Sequence, residues 1–175
     1  MLDIGRDTIA DHRYFQPNPC RPTRWLSSVS PTFVDIAGRG FWVQDSVLEL
    51  WLRLLALHIE DPPKSGSVAT HIRDQWLLGS RGQYIGCIPV DLDEALATAE
   101  GAVLVRAAVH SLLAALAAAP SHLGHDALNL MGFSGGVFTA PIETRRLPQV
   151  GGAFLDLLDG KINADASDTS FMPGS

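Results

Sequence analysis

Apolar residues recur at helical spacing through much of this chain, and the clearest such segment begins at Ser46. Glu49 stands three residues later, which is the spacing of a capping box. The predicted helix runs to about Glu60, before Pro62-Pro63, and its polar residues form only a narrow stripe. A helix that is apolar on most sides needs neighbours on most sides, so we expect it at the centre of the domain.

Four more helices are predicted, each with a capping residue or a terminator at its ends. They cover residues 67 to 78, 91 to 98, 99 to 118 and 148 to 158. The third is apolar and about as long as a short membrane span. Because its interior holds Arg106 and His110, we expect a buried helix of a soluble domain and no membrane contact.

Strand patterns occupy three shorter segments of the chain. Residues 32 to 37 and 83 to 88 predict single strands, and residues 128 to 143 predict a hairpin whose loop is Ser134-Gly135-Gly136. The expected fold is therefore α+β: a predominantly helical domain with helices 46 to 60 and 99 to 118 at its centre, and a small antiparallel sheet that includes the C-terminal hairpin.

The two ends of the chain differ in composition from the middle. Residues 1 to 31 carry four prolines and four arginines and predict an irregular N-terminal arm, whose arginines are expected to pair with a net-acidic body. Residues 163 to 175 are small, polar and acidic, which predicts a flexible tail. A single globular domain is expected between them, over residues 32 to 162.

Composition indicates a folded, acidic protein. Hydrophobic residues make up 46% of the 175-residue chain and the net charge is -6. This balance favours a basic partner and gives no reason to expect nucleic-acid binding. Cys20 and Cys87 form no C-x-x-C motif, so we expect free thiols and, with no export signal at the N-terminus, a cytoplasmic location.

Residues Gly132 to Gly136 spell G-x-S-x-G, the pattern of a hydrolase nucleophile elbow centred on Ser134. Such an enzyme places its histidine after the serine, and the last histidine here is His125. The residues after Ser134 are also β-branched and aromatic, with Pro141 close behind, where an elbow needs a helix. We therefore interpret the glycines as a hairpin loop, and a small serine hydrolase remains the alternative function.

Two short strings contain residue types that could bind a metal ion. They are His122-x-x-His125-Asp126 and His71-x-x-Asp74. Neither string has a second cluster that would complete a coordination sphere. No phosphate-binding, dinucleotide-binding or EF-hand motif occurs in the sequence. We expect no metal, no cofactor and no catalytic residue.

Asp91, Asp93 and Glu94 place three carboxylates at a predicted helix start. A helix dipole alone accounts for such a cluster, but an acidic contact for a basic partner also fits it, and Glu60, Asp61 and Asp74 could extend it. The expected function is a non-enzymatic binding protein that engages a basic protein through these residues, as an inhibitor or toxin-immunity protein would.

Overall fold

The computed structural model describes residues 30 to 59, 66 to 133 and 138 to 175. Its helices are α1 (Asp45–Leu57), α2 (Val68–Gly79), α3 (Leu92–Ala95), α4 (Ala99–Ala118), α5 (His125–Leu130) and α6 (Leu147–Leu158), with a 3-10 turn over Thr144–Arg146. Its strands are β1 (Pro31–Ile36), β2 (Arg39–Gln44), β3 (His122–Leu123) and β4 (Ile142–Glu143). The strands form two separate antiparallel pairs, β1 with β2 and β3 with β4. The predicted α+β class with a helical majority is confirmed.

Helix α1 is the centre of the core, as its pattern predicted. Nine of its thirteen residues are buried, and it packs against α2, α4, α6 and the β1–β2 hairpin. The Trp51 ring lies 5.6 Å from that of Phe154 on α6, and Phe41 of β2 meets Phe154 edge to face at 5.6 Å. The expected capping box is wrong, because the chain is already helical at Asp45 and no side chain caps the helix.

The β1–β2 hairpin places a second strand directly after the first, where the sequence predicted only a single strand over residues 32 to 37. Ala37 and Gly38 both have positive φ, 51° and 77°, and together make a two-residue turn. At Gly40 an added Cβ would lie 1.9 Å from the carbonyl oxygen of Val34, so only glycine allows the strands to approach here.

Helices α2 and α4 both begin at the predicted capping residue. The Ser67 hydroxyl accepts the N–H of Thr70 at 3.2 Å, and the Thr98 hydroxyl accepts that of Gly101 at 3.0 Å. Only one face of α4 is buried, so its expected place deep in the core is only partly met.

Among the described residues, α4 is the one helix long and apolar enough to cross a membrane. Its best 18-residue window has a mean hydropathy of 1.8, and 28% of that window is buried. Core helices of soluble proteins reach the same length and hydropathy, and alanines make up much of the exposed face of α4.

The strand predicted over residues 83 to 88 is absent, and this segment is irregular. Its backbone turns at Gly86, where φ is +70°. Its amide groups bond to side chains instead of to a neighbouring strand: the N–H of Gly86 donates to Asp45, and that of Ile88 to Thr32. The apolar run that resembled a strand is therefore a loop fastened to the core.

The C-terminal hairpin matches the prediction only in part. Residues 125 to 130 are helical, and the antiparallel pairing is made by His122 with Glu143 and Leu123 with Ile142. The loop after α5 is closed by the Asn129 side chain, whose oxygen accepts the Phe138 N–H at 2.7 Å and whose amide donates to the Phe138 carbonyl at 3.0 Å. One side-chain amide thus makes the two bonds that a second strand would supply.

Residues 163 to 175 lie along the free edge of β2. The carbonyl oxygens of Ala164 and Phe171 accept the N–H groups of Gly40 at 2.9 Å and Trp42 at 3.3 Å. The Phe171 ring lies 6.2 Å from that of Phe41. These contacts would restrain the tail, whose predicted mobility stays a prediction. The predicted N-terminal arm lies outside the described residues, except for its last two positions.

Candidate functional site

A cavity of about 520 Å³ opens between β1 and the segment that leads into α3. Four carboxylates line it, and no lysine or arginine does among the described residues. We call it the acidic cavity, and its lining residues are Thr32, Phe33, Val34, Asp35, Trp42, Gly86, Cys87, Ile88, Pro89, Val90, Asp91, Leu92, Asp93 and Glu94.

One buried carboxylate fastens two walls of the acidic cavity together. Asp45, which is 5% exposed, accepts the Thr32 hydroxyl at 2.7 Å and the Gly86 N–H at 2.7 Å. The Thr32 oxygen in turn accepts the Ile88 N–H at 3.1 Å. Burial raises the pKa of Asp45, and the two hydrogen bonds oppose that rise. The shape of the cavity therefore depends on a side chain behind its wall.

The predicted partner-binding residues Asp91, Asp93 and Glu94 all line the acidic cavity, and Asp35 of β1 joins them. Asp93 accepts the Ala37 N–H at 3.1 Å, which ties α3 to the hairpin turn. Glu94 lies 3.0 Å from the Nε2 atom of His71 on α2. These two carboxylates serve the fold as well as the surface.

Asp91 differs from its neighbours because the described residues offer its carboxylate no hydrogen bond or ion pair. Its backbone is in the left-handed region, at φ 50°. Burial raises its pKa, the Glu94 charge adds to the rise, and His71 opposes it. A cation placed beside Asp91 would therefore stabilise its charged carboxylate. It would offset both the cost of burying that charge and the repulsion from Glu94.

Two aromatic rings, those of Phe33 and Trp42, also line the acidic cavity. The Phe33 and Trp42 ring centres are 5.3 Å apart, tilted by 50°. The Trp42 Nε1 atom is buried and makes no hydrogen bond to the described residues. Aromatic faces beside carboxylates attract flat cations such as a guanidinium group.

Sequence reasoning found three carboxylates of this site and missed Asp35, Trp42 and the bonds of Asp45. The signal for Asp35 was available, because Ala37-Gly38 between two apolar runs marks a hairpin that returns toward residue 42. The proposed extension through Glu60 and Asp61 lies outside the described residues, and Asp74 does not line the cavity.

Ser134 lies outside the described residues, but the chain before it is described. A nucleophile elbow needs a strand there, and helix α5 occupies residues 125 to 130. Arg53 closes over this loop: its guanidinium lies 5.3 Å from the Phe133 ring centre and donates to the Gly132 carbonyl at 3.3 Å. The described chain before Ser134 is therefore helical where a nucleophile elbow requires a strand.

The candidate metal ligands are not brought together. His122 bonds to the Ser121 hydroxyl at 2.9 Å, and His125 pairs with Asp126 at 3.2 Å. No group of three or more possible ligands occurs within the described parts of the chain.

Cys87 is disulfide-bonded in the structure, so the expectation of a free thiol is wrong at this position. Cys20, the other cysteine, lies outside the described residues. Disulfides are typical of oxidising compartments. The cytoplasmic prediction therefore loses the support that it took from free thiols.

Glu49 is a second carboxylate with a strongly altered environment, one turn after Asp45 on α1. Burial raises its pKa to about 7, with a smaller contribution from the Asp45 charge. Within residues 30 to 59, 66 to 133 and 138 to 175 it has no hydrogen bond or ion pair. Glu49 therefore changes between its protonated and its charged form near neutral pH.

Glu49→Gln is expected to raise stability at pH 8.5 and to change it little at pH 4. The folded pKa lies above the unfolded value, so the protonated carboxyl contributes fully below pH 4.5, and that contribution is lost as pH rises through about 7. Partial exposure reduces the gain at pH 8.5 to roughly 1 kcal/mol. Urea unfolding of wild type and Glu49→Gln between pH 4 and pH 8.5 measures this difference in stability. Equal pH profiles for the two proteins would contradict the raised pKa of Glu49.

No protein-family model, curated protein or solved structure matches this chain.

Proposed function

We propose that this protein is a non-enzymatic binding protein whose acidic cavity receives a basic segment of another protein. The observation that carries the proposal is the lining of the cavity: four carboxylates and two aromatic rings, with no lysine or arginine among the described residues. Such a lining leaves a local negative potential that a cationic side chain would neutralise.

Arginine suits this cavity better than lysine does. A guanidinium is flat, stacks on aromatic faces and donates to carboxylates in pairs. The Phe33 and Trp42 rings offer the faces, and Asp91 offers a carboxylate that no described residue occupies. An arginine-bearing loop of a basic protein is therefore the partner chemistry that we propose.

Inhibitors and toxin-immunity proteins use acidic surfaces in this way, because opposite charge on a basic enzyme speeds association and fixes orientation. The net charge of -6 would also attract a basic protein over longer distances. The disulfide at Cys87 removes one argument for a cytoplasmic location. We therefore propose a binding site and the chemistry of its partner, and we propose no cellular compartment.

The proposal predicts that neutralising the cavity abolishes capture of a basic partner. The test variant combines Asp91→Asn, Asp93→Asn and Glu94→Gln, which keep side-chain size and the oxygen that accepts the Ala37 N–H. Wild type on beads should retain a basic protein from the source cell's extract in near-equal amount and release it as salt rises.

The matched control combines Asp74→Asn, Glu100→Gln and Asp126→Asn, which change the net charge equally at exposed positions outside the cavity. It should capture the partner as wild type does, whereas the cavity variant should not. Equal capture by all three proteins would contradict the proposal.

A further inference from the structure

The outer edge of strand β1 carries backbone groups that do not face β2. In the β1–β2 pair, Phe33 lies opposite Trp42 and Asp35 lies opposite Gly40. The N–H groups of Trp42 and Gly40 point away from β1, because they donate to carbonyl groups of the C-terminal tail. Opposed residues of an antiparallel pair either bond to each other or both face outward. The N–H and C=O groups of Phe33 and Asp35 therefore point away from β2.

These outward groups of Phe33 and Asp35 have no hydrogen-bond partner among the described residues. The outer edge of β2 differs, because the tail already bonds to it. An edge strand with free N–H and C=O groups is a template on which another extended chain can add itself as the next strand. Phe33 and Asp35 also line the acidic cavity. The free edge of β1 and the carboxylates thus belong to one site.

The far wall of the acidic cavity is bonded to the hairpin near the two ends of β1. The Ile88 N–H donates to the Thr32 hydroxyl at 3.1 Å, and Asp93 accepts the Ala37 N–H at 3.1 Å. Between Thr32 and Ala37 lies about 17 Å of chain, the length of about five extended residues. The cavity volume of about 520 Å³ is within the range of ligand-binding pockets. A short extended segment fits this length.

We propose that the basic segment of the partner binds as an extended strand, antiparallel to β1, and adds a third strand to the hairpin within the acidic cavity. Its backbone exchanges hydrogen bonds with Phe33 and Asp35, and its arginines reach the carboxylates. This mode rests on the proposed function, because the added strand is the arginine-bearing segment of the partner.

The pleat of β1 determines which positions of the added strand carry arginine. Directly opposed residues place their side chains on the same face of a sheet. The partner residues that bond to Phe33 and Asp35 therefore share the face of these two side chains, where the Phe33 and Trp42 rings meet. Thr32 and Val34 lie on the opposite face and are buried. Arginine at alternate positions, with uncharged residues between, is the pattern that fits.

A second copy of this chain is a poor occupant of the same edge. Two copies paired through β1 would bring two acidic cavities together, each with four carboxylates and with no lysine or arginine among its described lining residues. Like charges across an interface repel. A basic strand meets the opposite charge, so charge favours the partner over self-association.

The strand mode is tested with the peptide acetyl-Thr-Arg-Thr-Arg-Thr-amide and two forms of it, each with two N-methyl groups. Methylation of both arginine nitrogens removes the N–H groups that donate to the carbonyls of Phe33 and Asp35. Methylation of the central and last threonine nitrogens removes N–H groups that point away from β1, and the charge is unchanged.

NMR titration of wild type at low salt measures the three affinities. The arginine-methylated form should bind at least about tenfold more weakly than the parent peptide, because the lost bonds and the added methyl groups both disfavour pairing. The threonine-methylated form should stay within about threefold of the parent. Equal affinities of the two methylated forms would overturn the strand mode.

Amide hydrogen exchange reports the same bonds from the side of the protein. Without peptide, the amide protons of Phe33 and Asp35 should exchange freely, whereas the bond to β2 protects that of Val34. Saturating peptide should slow exchange at Phe33 and Asp35 by about tenfold or more and leave Val34 unchanged. Protection of Phe33 and Asp35 before peptide is added, by another part of the chain or by a second copy, would overturn the proposal.

Failure of the proposed function would appear differently. The parent peptide would then bind wild type no more tightly than it binds the Asp91→Asn, Asp93→Asn, Glu94→Gln variant. If neutralising the cavity weakens binding but peptide methylation has no effect and amide exchange is unchanged, the acidic cavity receives the partner without β1, and only the strand mode is wrong.

Discussion

Asp45→Asn is expected to lower the free energy of unfolding by about 2 to 3 kcal/mol, although the two side chains have nearly the same shape. One Asp45 oxygen accepts the Thr32 hydroxyl and the other accepts the Gly86 N–H. Asparagine replaces one of these acceptors by a donor. If its NH2 group faces Gly86, two donors meet, and if it faces Thr32, the hydroxyl proton loses its acceptor because an NH2 group cannot accept a hydrogen bond.

The measurement is urea unfolding of wild type, Asp45→Asn and the exposed control Asp126→Asn. The control should stay within about 0.5 kcal/mol of wild type. Because Thr32, Gly86 and Ile88 line the acidic cavity, Asp45→Asn should also weaken any ligand there. An unchanged unfolding midpoint would show that these bonds do not hold the loop to the core.

Trp51→Ala is expected to cost about 3 to 5 kcal/mol, the largest effect of a single substitution in this protein. The Trp51 side chain is 0% exposed and lies where α1, α4 and α6 meet. An added Cβ at Gly151 would come within 2.7 Å of its ring, so the surrounding helices already touch it closely. Alanine would leave a cavity that rigid helices cannot fill.

Trp51→Phe separates ring volume from the polar indole group. The Trp51 Nε1 atom is buried and has no hydrogen-bond partner in the described part of the chain. Phenylalanine removes this donor while it keeps most of the ring. We expect a loss of only about 1 kcal/mol for this variant. A Trp51→Ala loss below that of Trp51→Phe, measured by the shift in urea midpoint, would contradict the packing described for α1.

Helices with a marked pattern could be predicted from the sequence, because capping residues and apolar periodicity act locally. Ser67 and Thr98 cap α2 and α4 as expected. The errors fell where distant side chains supply the backbone bonds. Residues 83 to 88 look like a strand, but Asp45 and Thr32 take their amide protons, and a sequence window does not contain that information.

The candidate site, like the fold, could be predicted from the sequence only in part. Asp91, Asp93 and Glu94 are adjacent in the chain, so their clustering was visible. The rings of Phe33 and Trp42 reach the site only because the Ala37-Gly38 turn pairs β1 with β2. The disulfide at Cys87 was missed because two cysteines without a C-x-x-C spacing gave no local sign of a bond.

The acidic cavity as a site for a basic partner is tested most directly by calorimetric titration with an octa-arginine peptide. Wild type and the Asp91→Asn, Asp93→Asn, Glu94→Gln variant are compared at 25 and 200 mM salt, with the exposed-carboxylate control beside them.

We predict that wild type and control bind alike, that their affinity falls about tenfold with salt, and that the cavity variant binds roughly 30-fold more weakly at low salt. Equal affinities for wild type and the cavity variant, or binding that salt leaves unchanged, would contradict the account.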